Sequence, residues 1–207
     1  MPPIYHITHL RNLPSILESG CLWCDKERFL RKLNTTGIAH EHIKQRRARR
    51  RVPTAARGTL DNYVPFYFAP RSPMLYTIHK GNVVNYNDGQ SPVLHLVSSV
   101  ERVVESELPF TFTDGHAEMA TCTFFERIED LNNVDWQIMQ SRLWNDTPQD
   151  GNRKWRRQAE FLVHNHFPLN LISEIGVISP EFAEETARLA DASGYKIEVN
   201  VRKNWYY

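Results

Sequence analysis

The sequence predicts an α+β fold, and three observations carry that prediction. Apolar or alternating runs such as "IYHIT", "PVLHLVS" and "YKIEVNVRKNW" read as strands. Capped amphipathic stretches such as "SPMLYTIHKG" and "PEFAEETARLADASG" read as helices. These elements follow one another without the strict strand–helix–strand alternation of a parallel sheet.

Taken in order, "IYHIT" is a short strand and "NLPSILESG" a helix, with Asn12 at the cap, Pro14 in the first turn and Gly20 as the stop. Residues 25–62 are polar, basic and weakly periodic, so they read as a long loop with a helical piece around His40 to Arg50; such a loop in a compact domain is usually functional or disordered. "YVPFYFA" is an aromatic strand. "SPMLYTIHKG" carries Ser72 at the cap, Pro73 at the first position and Gly81 at the end. "PVLHLVS" is a buried strand, and "FTFTDGHAEMATCTFF" mixes strand and turn. "DLNNVDWQIMQSRLW" is expected to be helical, and "NDTPQDGNRKWRR" a polar connector. "QAEFLVHNHF" and "EIGVIS" are strands, the helix "PEFAEETARLADASG" stops at Gly194, and "YKIEVNVRKNW" closes the chain as a strand.

At 207 residues, with 41% hydrophobic and 24% charged residues, the chain is expected to form one domain, residues 1–207. No apolar run is long enough to span a bilayer, and "MPPIYHITHL" lacks the pattern of a signal peptide, so a cytoplasmic location is expected. Three cysteines argue against a disulfide framework. Cys21 and Cys24 form a CxxC without a second ligand pair at convincing spacing, so no metal is expected. The net charge is +1, but it is segregated. Residues 44–57, "KQRRARRRVPTAAR", hold seven basic residues and no acid, and residues 153–157 hold four in five. Such stripes can hold phosphates on a nearly neutral protein.

Three segments then line up: a strand with His6 and Thr8, the strand and helix "YFAPRSPMLY" with Tyr67 and Tyr76, and a strand opening with Glu160. In that order they resemble the three NAD-binding motifs of ADP-ribosyltransferases. With "FTDGHA" and "RRQAEFLV" included, the chain from about residue 4 onward resembles the DarT family, bacterial toxins that ADP-ribosylate thymidine in single-stranded DNA.

The resemblance implies an ADP-ribosyltransferase-like fold with split central β-sheets flanked by helices, and NAD+ as co-substrate. It implies a single-stranded DNA acceptor modified at thymine N3, and a macrodomain antitoxin that removes the adduct. Nothing demands more than a monomer. Glu160 would stabilise the oxocarbenium-like ribose as nicotinamide leaves. His6, Thr8 and Asn12 would hold nicotinamide and ribose, and Tyr67, Phe68 and Tyr76 would wall the nicotinamide pocket. Residues 25–62 would cover NAD+, with one arginine, Arg51 by its place next to "VP" but in a register open to Arg49 and Arg50, reaching the reaction centre, and Arg46 and Arg47 meeting the cofactor's diphosphate or DNA phosphates. Residues 118–159 would form the target-recognition segment. Within it Arg153, Lys154, Arg156 and Arg157 would follow DNA phosphates, Trp155 would stack a base, and Gln158 would read the thymine edge. An ADP-ribosyltransferase acting on RNA or protein, and a non-catalytic single-stranded nucleic-acid binder, are the competing expectations. A nuclease built on "HEH" at 40–42 is more distant, because three adjacent residues do not make a ligand set.

Overall fold

The computed structural model describes residues 1–207. The first strand, β1 (Pro3–His9), pairs antiparallel along its whole length with β4 (Val93–Ser99). Residues 93 to 98 of β4 are all buried, as a run without alternation requires of a strand covered on both faces. Beyond β4 lies β9 (Glu174–Val177), and β10 (Glu198–Val201) joins β9 in parallel after the crossover helix α8 (Pro180–Ala192). On the other side of β1 come β3 (Tyr63–Tyr67), β7 (Ala159–His164), β5 (Phe110–His116) and β6 (Phe124–Phe125), completing the order β10-β9-β4-β1-β3-β7-β5-β6. A separate ribbon joins β2 (Cys21–Trp23) to β8 (His166–Pro168).

The sheet changes character between β1 and β3, where Tyr5 and Tyr67 form the one registered pair. Pro65 in the middle of β3 has no N–H to give a neighbour. Its carbonyl accepts instead from the His6 ring, Nδ1 to O 2.8 Å. The single pair therefore links two four-stranded halves, and a cleft opens at this seam. This is the split sheet that the sequence resemblance implied.

Helix α1 (Leu13–Ser19) stops at Gly20, whose φ of 67° favours glycine. Helices α2 (Asp25–Leu30) and α3 (Glu41–Arg47) lie in the long segment expected to be mostly loop. Helix α4 (Pro73–His79) starts as expected, with Ser72 Oγ accepting from the Leu75 amide at 3.1 Å. Helix α5 (Val100–Glu105) follows β4 directly.

Three expectations need correction. The helix expected over "DLNNVDWQIMQSRLW" is a 3₁₀ turn (Ile128–Asn133) and then a separate short helix, α6 (Trp136–Gln140), because Asp135 caps a fresh start through Ile138 N at 2.9 Å. The connector at 145–157 contains a helical turn, α7 (Arg153–Arg156). "QAEFLVHNHF" is two strands, broken at Asn165, whose φ of 66° is a left-handed conformation that asparagine tolerates. No helix is long and apolar enough to cross a membrane.

Candidate active site

Glu160 is the second residue of β7 and sits opposite Tyr67 of β3. It is 5% exposed, and its amide donates to Thr113 Oγ1 at 3.0 Å. Across the cleft, Arg47 at the end of α3 brings Nη1 to both Glu160 carboxylate oxygens, at 3.1 and 2.9 Å. Burial would lower the Arg47 pKa, but the Glu160 carboxylate outweighs it and the net shift is upward, so this guanidinium stays charged. Arg47 Nη2 is buried and has no protein partner. The Tyr67 hydroxyl is held protonated, its pKa raised by burial and by the Glu160 charge.

The arginine beside Glu160 is thus Arg47, where Arg51 was expected. Arg51 is exposed, forms an isolated bridge with Thr59, and does not line the cleft. Helical phase explains the difference. His40, Ile43, Lys44 and Arg47 recur at i, i+3, i+4 and i+7, and all four line the cleft. Arg46 turns aside to an ion pair with Glu118, and Arg50 donates to the carbonyls of Ala117 (3.4 Å) and Met119 (3.1 Å). Together they dock this basic segment beside Glu160.

The cleft measures about 600 Å³, a volume suited to a nucleotide-sized ligand. His6 and Thr8, two apart on β1, both line it. Desolvation, partly offset by the Pro65 hydrogen bond, pushes the His6 pKa down to about 4, so the ring is neutral at pH 7. Because a carbonyl only accepts, His6 Nδ1 carries the proton and Nε2 is left as an acceptor.

Asn12 lines the cleft too, though not as the expected side-chain cap of α1. Its Nδ2 donates to Thr8 Oγ1 (3.1 Å) and Thr36 O (2.9 Å), and its Oδ1 accepts from Thr36 N (2.7 Å). Asn12 thus fastens the 25–62 segment to the cleft floor.

Tyr67 and Tyr76 line the cleft; Phe68 does not. Phe68 is buried edge-on against Trp136 (5.4 Å) and Phe161 (6.1 Å), on the core side that the next residue of an extended chain must face. His116, at the end of β5, lines the cleft but was assigned no role from sequence, although "FTDGHA" stood out. Its Nδ1 accepts from the Glu118 amide at 3.2 Å, leaving Nε2 to donate.

The stretch 153–158 is corrected most. Arg157 is 4% exposed and spends its Nη1 and Nη2 donors on main-chain carbonyls, so it meets no phosphate. Arg156 pairs with Asp135 (2.9 Å) and Asp150 (2.6 Å). Arg153 donates to the carbonyls of Asn145 (3.0 Å) and Leu143 (2.8 Å). The Trp155 ring packs against Gly115 so closely that a Cβ there would lie 2.3 Å from it, so Trp155 offers that face to β5 and not to a base. Lys154 and Gln158 do line the cleft, beside Glu160. Cys21, Cys24 and Cys122 are free buried thiols.

Glu160 on one side of the split sheet, His6 and Thr8 on the other, and Tyr67 and Tyr76 in the lining make up the cleft that the resemblance to ADP-ribosyltransferases implied. A family model described as "ssDNA thymidine ADP-ribosyltransferase, DarT" matches residues 5–207, and the chain belongs to the DarT family. It is 44% identical over 207 residues to a DNA ADP-ribosyl transferase of Thermus sp. (strain 2.9), covering 99% of this chain and 96% of that protein. The corresponding protein of Escherichia coli O127:H6 (strain E2348/69 / EPEC) is 33% identical over 204 residues, covering 99% and 93%. Among solved structures, Thermus sp. 2.9 DarT in complex with ADP-ribosylated ssDNA superposes with a TM-score of 0.93 at 42% identity, covering 99% and 96%. The same protein in complex with NAD+ gives 0.89 at 40% identity, covering 99% and 97%. A fusion of a DNA ADP-ribosyl transferase with a DNA ADP-ribosyl glycohydrolase from Thermosipho africanus is 27% identical over 182 residues, covering 87% of this chain and 43% of the fusion.

Proposed function

We propose that this chain transfers ADP-ribose from NAD+ to thymidine in single-stranded DNA and releases nicotinamide. The observation that carries the reading is Glu160, buried at the sheet seam and paired with Arg47 inside a nucleotide-sized cleft. The bond between nicotinamide N1 and ribose C1′ breaks, its electron pair leaving with nicotinamide, and a cation develops on the ribose. The Glu160 carboxylate steadies that cation while accepting a hydrogen bond from a ribose hydroxyl. Thymine N3 then bonds to C1′ and loses its proton to solvent. The Arg47 guanidinium, with Nη2 still free to donate, stabilises the imide anion that forms on the base. His6 Nε2 accepts from the nicotinamide carboxamide, Thr8 and Asn12 hold the ribose side, and Tyr67 and Tyr76 flank the pyridinium ring.

DNA approaches past His116, Lys154 and Gln158, where Gln158 reads the thymine edge. Residues 1–207 act as one cytoplasmic, monomeric domain, and the adduct is removed by a macrodomain glycohydrolase antitoxin. The Thermosipho africanus fusion, which joins both activities in one chain, supports that pairing. Incubation with labelled NAD+ and thymidine-only, cytidine-only or mixed oligonucleotides, read by mass spectrometry, tests the reading. Label on thymidine-containing DNA alone is expected. Label on the cytidine-only oligonucleotide or on the protein, or on nothing, would overturn it.

A further inference from the structure

Arg157 is a buried cation with no acidic partner; the ionisable groups nearest to it in effect are Tyr207 and Arg71. Burial pushes its pKa down to about 10, so it remains charged at neutral pH. Four main-chain carbonyls take over from water at Nη1 and Nη2, and Nε alone has no partner. Nη1 donates to Ile138 O (2.5 Å), Met139 O (2.6 Å) and Ser141 O (3.2 Å), and Nη2 donates to Arg71 O (3.1 Å). The first three close the end of α6, where helix carbonyls lack partners. The fourth precedes α4 and belongs to the other side of the cleft.

The Arg71 carbonyl is a junction. It also accepts from the Tyr207 hydroxyl at 2.9 Å, and that hydroxyl in turn accepts from Trp144 Nε1 at 3.1 Å. Each arm of the junction leads to the cleft. Helix α4 presents Met74 and Tyr76, and the loop after α6 presents Trp144, Asn145 and Asp146. Arg153 clasps the same loop through Leu143 O and Asn145 O, so it is fastened at both ends.

We propose that Arg157 is a positioning residue, which locks the acceptor-side loop 141–146 to the donor-side helix α4 and so sets the distance between thymine and the ribose carbon. This rests on the function proposed above. Transfer between two large bound reactants depends steeply on their separation, and a displacement near 1 Å can cost about 100-fold in rate. Hydrolysis of NAD+ by water has no such demand, because water needs no loop to place it.

Arg157→Met keeps an unbranched apolar stem and removes the guanidinium with all its donors. Oligonucleotide labelling should fall about 100-fold, with NAD+ hydrolysis in the absence of DNA kept within about threefold. Arg157→Lys should show the same split, since one ammonium cannot span carbonyls on two segments. Hydrogen exchange should accelerate in residues 138–146 while β4 and β7 stay protected. If Arg157→Met does not fold, Tyr207→Phe removes one donor at the junction and leaves the four Arg157 contacts in place; a smaller split of about tenfold in the same direction is expected. Equal loss of both activities, unchanged labelling, full function in Arg157→Lys, or unaltered exchange in 138–146 would each overturn the proposal. If the unsubstituted protein labels no oligonucleotide, the function reading fails, and the exchange experiment still decides whether Arg157 holds the loop.

Discussion

Replacing Arg47 by alanine strips the carboxylate of Glu160 of both its guanidinium contacts, 3.1 and 2.9 Å, in a place where neither side chain is well hydrated: they are 11% and 7% exposed. Breaking one partner of such a buried pair costs about 3–5 kcal/mol, because the other charge is left uncompensated. Urea unfolding followed by tryptophan fluorescence should register that loss. The pair itself can be isolated with a double-mutant cycle, in which Arg47→Ala in a Glu160→Gln background costs about 2–3 kcal/mol less than in the native one. Labelling of a thymidine oligonucleotide should fall by about 100- to 1000-fold, the usual loss for one preorganised electrostatic group. Arg51→Ala, at an exposed position outside the cleft, should change stability by no more than about 0.5 kcal/mol and labelling by less than about threefold. The reasoning is refuted if Arg51→Ala silences transfer while Arg47→Ala leaves it intact.

Three further outcomes follow from the geometry. Asn12→Ala removes the side chain that accepts from Thr36 N and donates to Thr36 O, so limited proteolysis should cut residues 25–62 faster and the KM for NAD+ should rise about tenfold, with about 1–3 kcal/mol of stability lost. His95 is fully buried and its pKa is depressed to about 4, so between pH 6.5 and 4 the unfolded chain binds a proton that the folded chain refuses. The His95 contribution should therefore be complete above pH 6.5 and fall by roughly 3 kcal/mol through that window, beside a similar one from His6, and His95→Gln should remove its share of the decline in urea titrations at pH 4.5 and 7.5. Gln158→Glu should reduce DNA labelling more than NAD+ hydrolysis, since an acid repels phosphate and cannot donate to a thymine carbonyl; equal loss of both would count against base reading.

Much of this architecture is written locally. Ser72 and Pro73 announce α4 because cap chemistry depends on four consecutive residues, and β4 announces itself because a strand covered on both faces must be apolar throughout. Glu160 is legible for a similar reason: an acid two residues into an apolar run must be compensated or employed. The arginines were harder. Five of them lie between positions 46 and 51, and which one enters the cleft depends on where α3 ends and on its phase, a matter of one or two residues. The recurrence of His40, Ile43, Lys44 and Arg47 on one face was available in the sequence as a signal. Arg157 was not legible at all, because its partners are main-chain carbonyls of Ile138, Met139, Ser141 and Arg71, which no side-chain pattern encodes. A cluster of cations reads as a solvated or phosphate-binding face until tertiary structure shows how many are already engaged. Aromatic character likewise does not say which way a ring faces, so Phe68 after β3 and Trp155 in α7 both turn to the protein interior.

In the proposed reaction the Glu160 carboxylate is the group that steadies the ribose cation. Glu160→Gln keeps the shape and removes the charge, so the direct measurement is nicotinamide release from NAD+ in the presence and absence of a thymidine oligonucleotide, with NAD+ binding followed separately by calorimetry. Binding within about tenfold of the native protein, with both release rates down by about 100-fold or more, is the predicted result. Release that continues at the native rate in Glu160→Gln would contradict it.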